Sequence, residues 1–199
     1  MSIILKQGQG LLYMKVGMHA QESLDVIIAR KTKEIEQAGF ALWGYGGSTC
    51  HPQTMVQPFV RSYEQQGQVI YLCMQPMESS HFAEPIRAAE FSVNGIDWQP
   101  IHPAINVLGS RYALAIKNLR KEDLELPLAK TKVALGNSMG SIGARYIAGR
   151  VDKACLETTE EIGAIVASEP RVHIGLVAQI VRPYAVYVRT EPSKEKAHD

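Results

Sequence analysis

Two short stretches of the chain combine residue types that could bind or transform a small molecule. The first, "WGYGGSTCHP" at 43–52, holds two aromatic side chains, a glycine pair, a cysteine and a histidine. The pair Gly46 and Gly47 permits positive φ or a close approach of the backbone to a ligand. Trp43 and Tyr45 could stack on a planar ring, an interaction that contributes roughly 1–3 kcal/mol per base. A tight turn whose aromatic residues belong to the core explains the same pattern.

Cys50 and His51 are the candidate catalytic residues of this stretch. A helix predicted to begin near Pro52 would lower the pKa of the Cys50 thiol and so enrich the nucleophilic thiolate. Because adjacent residues point their side chains apart, His51 is a poor base for Cys50, and a histidine from elsewhere would have to approach. An incidental buried cysteine is the competing explanation.

The second stretch, "ALGNSMGSIGARYIAGR" at 134–150, indicates an anion site. A strand that runs into spaced glycines can form a nest of backbone N–H groups, to which hydroxyls and arginine forks would add donors. The candidate ligand-binding residues are Gly136, Ser138, Gly140, Ser141, Gly143, Arg145 and Arg150. Their spacing matches neither a Walker loop nor the dinucleotide fingerprint. A purely structural bend explains the glycines equally well.

Composition narrows the class of protein. Lys and Arg number 21 against 20 Asp and Glu, for a net charge of +1. This balance argues against nucleic acid or an anionic membrane as a partner, so any anion site must be local. The run "RKTK" at 30–33 has Glu34 and Glu36 beside it, which favours a solvated face. No metal site is predicted, because the three cysteines and the histidines lack ligand spacing, and no cofactor is indicated.

The same features predict a cytoplasmic protein. Sparse, odd cysteines are typical of a reducing compartment. The apolar start is too short for a signal-peptide core, and no apolar run has the length of a membrane span.

Hydrophobic periodicity predicts the elements that must position the two stretches. In the first helix, Leu24, Ile27, Ile28 and Ile35 recur at helical spacing, and Lys31 occupies the remaining position of their stripe. The predicted order is a strand over 11–17, a helix over 19–39, a strand over 40–47, a helix over 51–67, strands over 68–74, 111–119, 129–136 and 171–189, and a hairpin at Asn94-Gly95. Residues 121–127 are predicted as a polar connection. Thr158 and Glu161, at capping-box spacing, favour a short helix over 158–168, with a strand as the alternative.

Early helices and late strands favour an α+β fold. We expect a mixed, largely antiparallel sheet or barrel-like β half toward the C terminus, with two or three helices mainly in the N-terminal half. The 199 residues predict a single domain over 1–199, with two lobes divided near 77–88 as the alternative.

Together these features predict a small-ligand-binding module for a phosphate-bearing, ring-containing, nucleotide-like ligand. The ring would stack on Trp43 or Tyr45, and the phosphate would sit in the 136–143 nest beside Arg145, provided that the fold brings both stretches to one pocket. One alternative is a cysteine-dependent hydrolase or transferase that uses Cys50. The other is a homo-oligomeric interaction domain whose β-rich half pairs across a two-fold axis.

Overall fold

The fold is taken from a computed structural model that describes residues 3–18, 23–45, 51–78, 87–108, 110–148, 151–162 and 170–190. The elements in chain order are β1 Gly10–Met18, α1 Leu24–Ala38, β2 Ala41–Gly44, α2 Gln53–Gln65, β3 Ile70–Glu78, β4 Glu90–Ser92, β5 Gln99–Pro100, β6 Tyr112–Pro127, a 3-10 turn Leu128–Lys130, β7 Thr131–Val133, α3 Gly143–Ile147, β8 Lys153–Thr158 and β9 Arg171–Arg189. The predicted α+β class is confirmed. None of the helices in these ranges has the length and apolar character needed to span a bilayer.

Nine strands form one mixed sheet, in which the path β2-β6-β9-β3-β1-β8-β7 is joined by β4 and β5. β1 and β3 are parallel, and the other pairings are antiparallel. β6 and β9 pair along most of their length with three register shifts, each of which bends the strands. β1 and β2 lie far apart on the path, yet both line one cavity, so the sheet curls until they face each other.

Alternation along β1 separates the two main cores. Leu12 packs with Val56 and Val60 of α2, on the face that α1 and α2 cover. Its neighbours Leu11 and Tyr13 point to the opposite face and pack in a second cluster. The period of two along the strand therefore assigns each side chain to its core.

Helix α1 is fixed at both ends and along its buried stripe. The Ser23 hydroxyl accepts a hydrogen bond from the Val26 N–H at 3.3 Å, and Gly39 ends the helix with φ of 83°. Lys31 and Glu34 are only 5% and 2% exposed. The Lys31 ammonium donates to both Glu34 oxygens at 2.9 and 3.1 Å, and to the carbonyls of Leu42 at 2.8 Å and Asn106 at 2.7 Å. This lysine ties α1 to β2 and to the segment that contains Asn106.

Two local predictions are wrong for identifiable reasons. Residues 121–127 are not a connection but the second half of β6, because Leu126 is buried and pairs with Val172 of β9. Thr158 does not cap a helix, because it ends β8 and its hydroxyl donates to the Lys6 carbonyl. In both places, a partner distant in sequence overrides the local pattern.

Other predictions are confirmed or refined. The helix over 51–67 is α2, and it continues through Pro58, held by buried Val56, Phe59, Val60 and Tyr63. The Asn94-Gly95 hairpin is present as β4 and β5, but with a longer loop that the Asn94 side chain organises by accepting two backbone N–H groups. β3 and β4, which flank the suggested lobe boundary near 77–88, both pair with β9.

Candidate functional site

A cavity of about 290 Å³ lies between α1 and the facing strands β1 and β2. Its apolar wall is formed by side chains from four segments, namely Met14, Val16, Ile27, Trp43 and Val107. Trp43 is 7% exposed, so most of its indole is packed and only part of it reaches the cavity. The aromatic residue that the sequence singled out for ring stacking therefore lines a cavity.

A second cleft, of about 450 Å³, adjoins this cavity and shares Arg30, Asn106 and Leu108 with it. Arg30 and Lys33 reach the cleft from α1, where residues three apart lie on the same side of a helix. Arg87 lies across from them and is held by donating to the carbonyls of Pro103 at 2.6 Å and Ile105 at 2.9 Å.

The charges of this second cleft favour an anion. Among its lining residues in the described part of the chain, Glu34 is the single carboxylate, and the Lys31 ammonium neutralises it. Three cations thus face one cleft in a chain whose net charge is only +1. Cationic groups gathered at one cleft concentrate the field there even when the whole molecule is nearly neutral.

The wall shared by the cavity and the cleft is positioned by the buried ion pair of α1. The Asn106 N–H donates to the Glu34 carboxylate at 3.2 Å, and the Asn106 carbonyl accepts from Lys31. On the other side, Gly44 leaves room for the chain near residue 110, since a Cβ there would lie 2.4 Å from the Ser110 hydroxyl oxygen. The same contacts that fasten α1 therefore shape the cavity.

Tyr45 and His51, from the first stretch, meet the second stretch at a different place. The Tyr45 hydroxyl donates to the His51 carbonyl at 3.1 Å, and the Lys153 ammonium lies 5.7 Å from the Tyr45 ring centroid. A Cβ at Gly136 would lie 3.2 Å from His51 Nε2, and the Tyr146 ring is parallel to the imidazole at a centroid separation of 6.3 Å. His51 is thus the residue through which the two stretches meet.

The environment of His51 keeps its imidazole neutral. The side chain is 8% exposed, and burial lowers its pKa, which a hydrogen bond to the Leu135 backbone partly offsets. Nδ1 has no hydrogen-bond partner among the described residues.

The thiol hypothesis rests on Cys50, which lies outside the described residues, as do Gly46, Gly47 and Arg150. Cys73 and Cys155 are buried, and burial raises the pKa of Cys73 to about 12. Neither of these two thiols has the exposed, electropositive surroundings of a reactive cysteine.

The glycines of the second stretch serve turns. Gly136 and Gly140 have φ of 74° and 86°. The N–H groups of Met139, Gly140 and Ser141 donate to carbonyls of neighbouring residues, so these donors of the expected anion nest are occupied. Gly143 is buried at the start of α3, where a Cβ would overlap the Thr131 hydroxyl.

Arg145 lies in a third cleft, of about 450 Å³, with Gly140, Ser141 and Tyr146. Trp43 and Arg145 therefore line different cavities. Arg30 lines the cavity with Trp43, and it lines the adjoining cleft together with Lys33 and Arg87. These three cations were not predicted as a set, because Arg30 and Lys33 lie beside Glu34 in the sequence and such mixed charges are typical of a solvated helix face. The position of Lys31 in the apolar stripe was the one signal that a lysine, with a glutamate as its partner, would be buried.

No match to this chain is found among family models, curated proteins or solved structures.

Proposed function

We propose that the protein binds a small anionic ligand that carries a ring or another flat apolar part. The observation that supports this most directly is that the Trp43 cavity opens beside the Arg30, Lys33 and Arg87 cleft, with Arg30 lining both. An apolar compartment that adjoins a few convergent polar groups is typical of ligand sites, and volumes of about 290 and 450 Å³ suit a small metabolite.

The Trp43 cavity and the adjoining cleft, together called the groove, have distinct roles in this proposal. The ring enters the apolar cavity against Trp43, and the anionic group lies in the cleft, where Arg30 offers a planar fork for phosphate or carboxylate oxygens. Arg87 is already held by two carbonyls, so little conformational entropy is lost when it binds the anion. Lys33 adds an exposed positive charge.

Nucleoside monophosphates are the ligands that fit this description best. The proposal keeps the ring-and-phosphate ligand expected from the sequence, and keeps Trp43 as its stacking residue. It places the phosphate in the cleft beside α1 and not in the 136–143 loop, because the N–H groups of Met139, Gly140 and Ser141 already donate to backbone carbonyls.

Isothermal titration of the full chain tests the proposal. The probes are the four common ribonucleoside monophosphates, their unphosphorylated nucleosides and inorganic phosphate. We expect at least one monophosphate to bind with one site per chain, and its nucleoside and phosphate each to bind at least tenfold more weakly. A chain that is folded by circular dichroism and yet binds no member of the panel would refute the proposal for nucleotides.

Matched variants locate the site. Arg30→Gln is expected to weaken monophosphate binding about tenfold or more, since a charge-assisted bidentate contact is lost. The control Arg145→Gln removes the same charge from the third cleft and is expected to leave the affinity unchanged. Equal effects of the two substitutions would show that the anion is attracted by general charge and not held in the groove.

A further inference from the structure

A group of side chains that could bind a metal ion lies where β6 pairs with β9, and none of its residues lines the Trp43 cavity or the two clefts. Asp123 and Glu125 are two apart on β6, and His173 stands opposite Glu125 in the register of β9. One ligand atom from each of the three side chains lies within 4.8 Å of the other two. Strand pairing brings His173 to Glu125 across 48 residues, so spacing in the sequence could not show the cluster.

The distances within the cluster fit the spacing of ligands around a metal ion. His173 Nδ1 is 3.2 Å from a Glu125 oxygen and 3.5 Å from an Asp123 oxygen. The shorter separation is also within the range of a hydrogen bond. Ligand atoms around a tetrahedral ion with bonds of about 2.0–2.1 Å lie roughly 3.3 Å apart, which is close to both observed separations.

An ion pair orients one of the ligands. The second oxygen of Glu125 is paired with Arg171 Nε at 3.1 Å, and the other oxygen faces His173. Counted with an uncharged imidazole, the two carboxylates and Arg171 give the cluster a net charge of about −1, and a divalent cation would change its sign. Asp123 lies within a register shift of the ladder, between Lys121 and Leu124, where β6 departs from regular pairing.

We propose that Asp123, Glu125 and His173 bind one divalent transition-metal ion, with Zn²⁺ as the ion of best-matched chemistry. One imidazole nitrogen and two carboxylate oxygens are ordinary zinc ligands, and a site with three protein ligands leaves the fourth position to water. The His173 side chain is half exposed, so the site is open to exchange with solvent.

Calorimetric titration of the metal-free full chain with ZnCl₂ tests this proposal. We expect saturable binding of one ion per chain, weakened at least tenfold in His173→Ala and in Glu125→Gln. The matched control is His102→Ala, which removes another exposed histidine and is expected to leave zinc affinity unchanged. Co²⁺ should give the visible absorption band of a tetrahedral ion in the wild type and lose it in His173→Ala.

Three results would overturn the proposal. One is the absence of saturable zinc binding to the folded wild-type chain. Another is binding that His173→Ala leaves intact, which would place the ion elsewhere in the chain. The third is an equal loss in His173→Ala and His102→Ala. Thermal unfolding without metal separates these outcomes from misfolding, because the exposed His173 side chain can be removed with little change in stability.

Discussion

The replacement Lys31→Met tests the idea that one buried ammonium fastens α1 to the sheet. The side chain keeps its length and apolar stem but loses the donors to Glu34, Leu42 and Asn106. Glu34, 2% exposed, is then left as a buried carboxylate without its cation. The substitution therefore removes a charge without creating a large cavity.

The expected loss follows from the burial of both partners. Removing one member of a buried ion pair costs about 3–5 kcal/mol, because the remaining charge is uncompensated. A carbonyl that loses its donor contributes about 1–3 kcal/mol, but this overlaps with the first effect. We expect the free energy of unfolding to fall by about 3–5 kcal/mol. With a urea dependence of roughly 2 kcal/mol per molar, the midpoint falls by about 1.5–2.5 M.

Urea unfolding followed by circular dichroism measures the change, with two comparison variants. Lys33→Met alters an exposed lysine of the same helix, and we expect a change within about 0.5 kcal/mol. Lys31→Met with Glu34→Leu removes both charges and should recover part of the loss. The reasoning is refuted if Lys31→Met costs less than about 1 kcal/mol, or if the double variant is the less stable of the two.

Three further predictions concern packing, pH and thiol reactivity. Gly44→Ala should destabilise the chain by about 1–3 kcal/mol through its clash with Ser110, and Ser110→Ala should restore most of that loss, as unfolding of the single and double variants would show. The hydrogen bond from Arg182 lowers the pKa of Glu64 below its ordinary value of 4.5, so its stabilising contribution is present above that value and disappears as the pH falls further. The difference in unfolding midpoint between wild type and Glu64→Gln should thus shrink below pH 4.5, and a constant difference from pH 7 to 3 would contradict this. Burial and the raised pKa of Cys73 predict that iodoacetamide labels it orders of magnitude more slowly in the native chain than in urea, by mass spectrometry, and fast native labelling would show that the thiol is accessible.

Helix α1 shows what the sequence could predict and what it could not. The repeat of Leu24, Ile27 and Ile35 predicted the helix, because it depends on local spacing. The position of Lys31 in the apolar stripe was visible too. Its partners were not, because the carbonyls of Leu42 and Asn106 approach it only in the folded chain.

The candidate site likewise has one part that the sequence could predict and another that it could not. Trp43 could be singled out because its type and its neighbouring glycines are local facts. The anion cleft could not be predicted, because Arg87 is held opposite α1 by carbonyls of the turns that follow β5, and these contacts form only in the folded chain. The nest at 136–143 stays a prediction, but the N–H groups of Met139, Gly140 and Ser141 are used in backbone hydrogen bonds of the folded chain. Which donors remain free is a property of the folded loop alone.

Lys31 of α1 also affects how readily the edge of the sheet can pair with a second molecule. β2 ends the sheet path with β6 as its partner there, and the Lys31 ammonium occupies a carbonyl of that short strand. A bond that occupies a backbone acceptor of a terminal strand removes one position at which a second molecule could add a strand. Chains that lack this lysine leave the Leu42 carbonyl open, and we expect Lys31→Met to be recovered in a smaller soluble fraction than Lys33→Met.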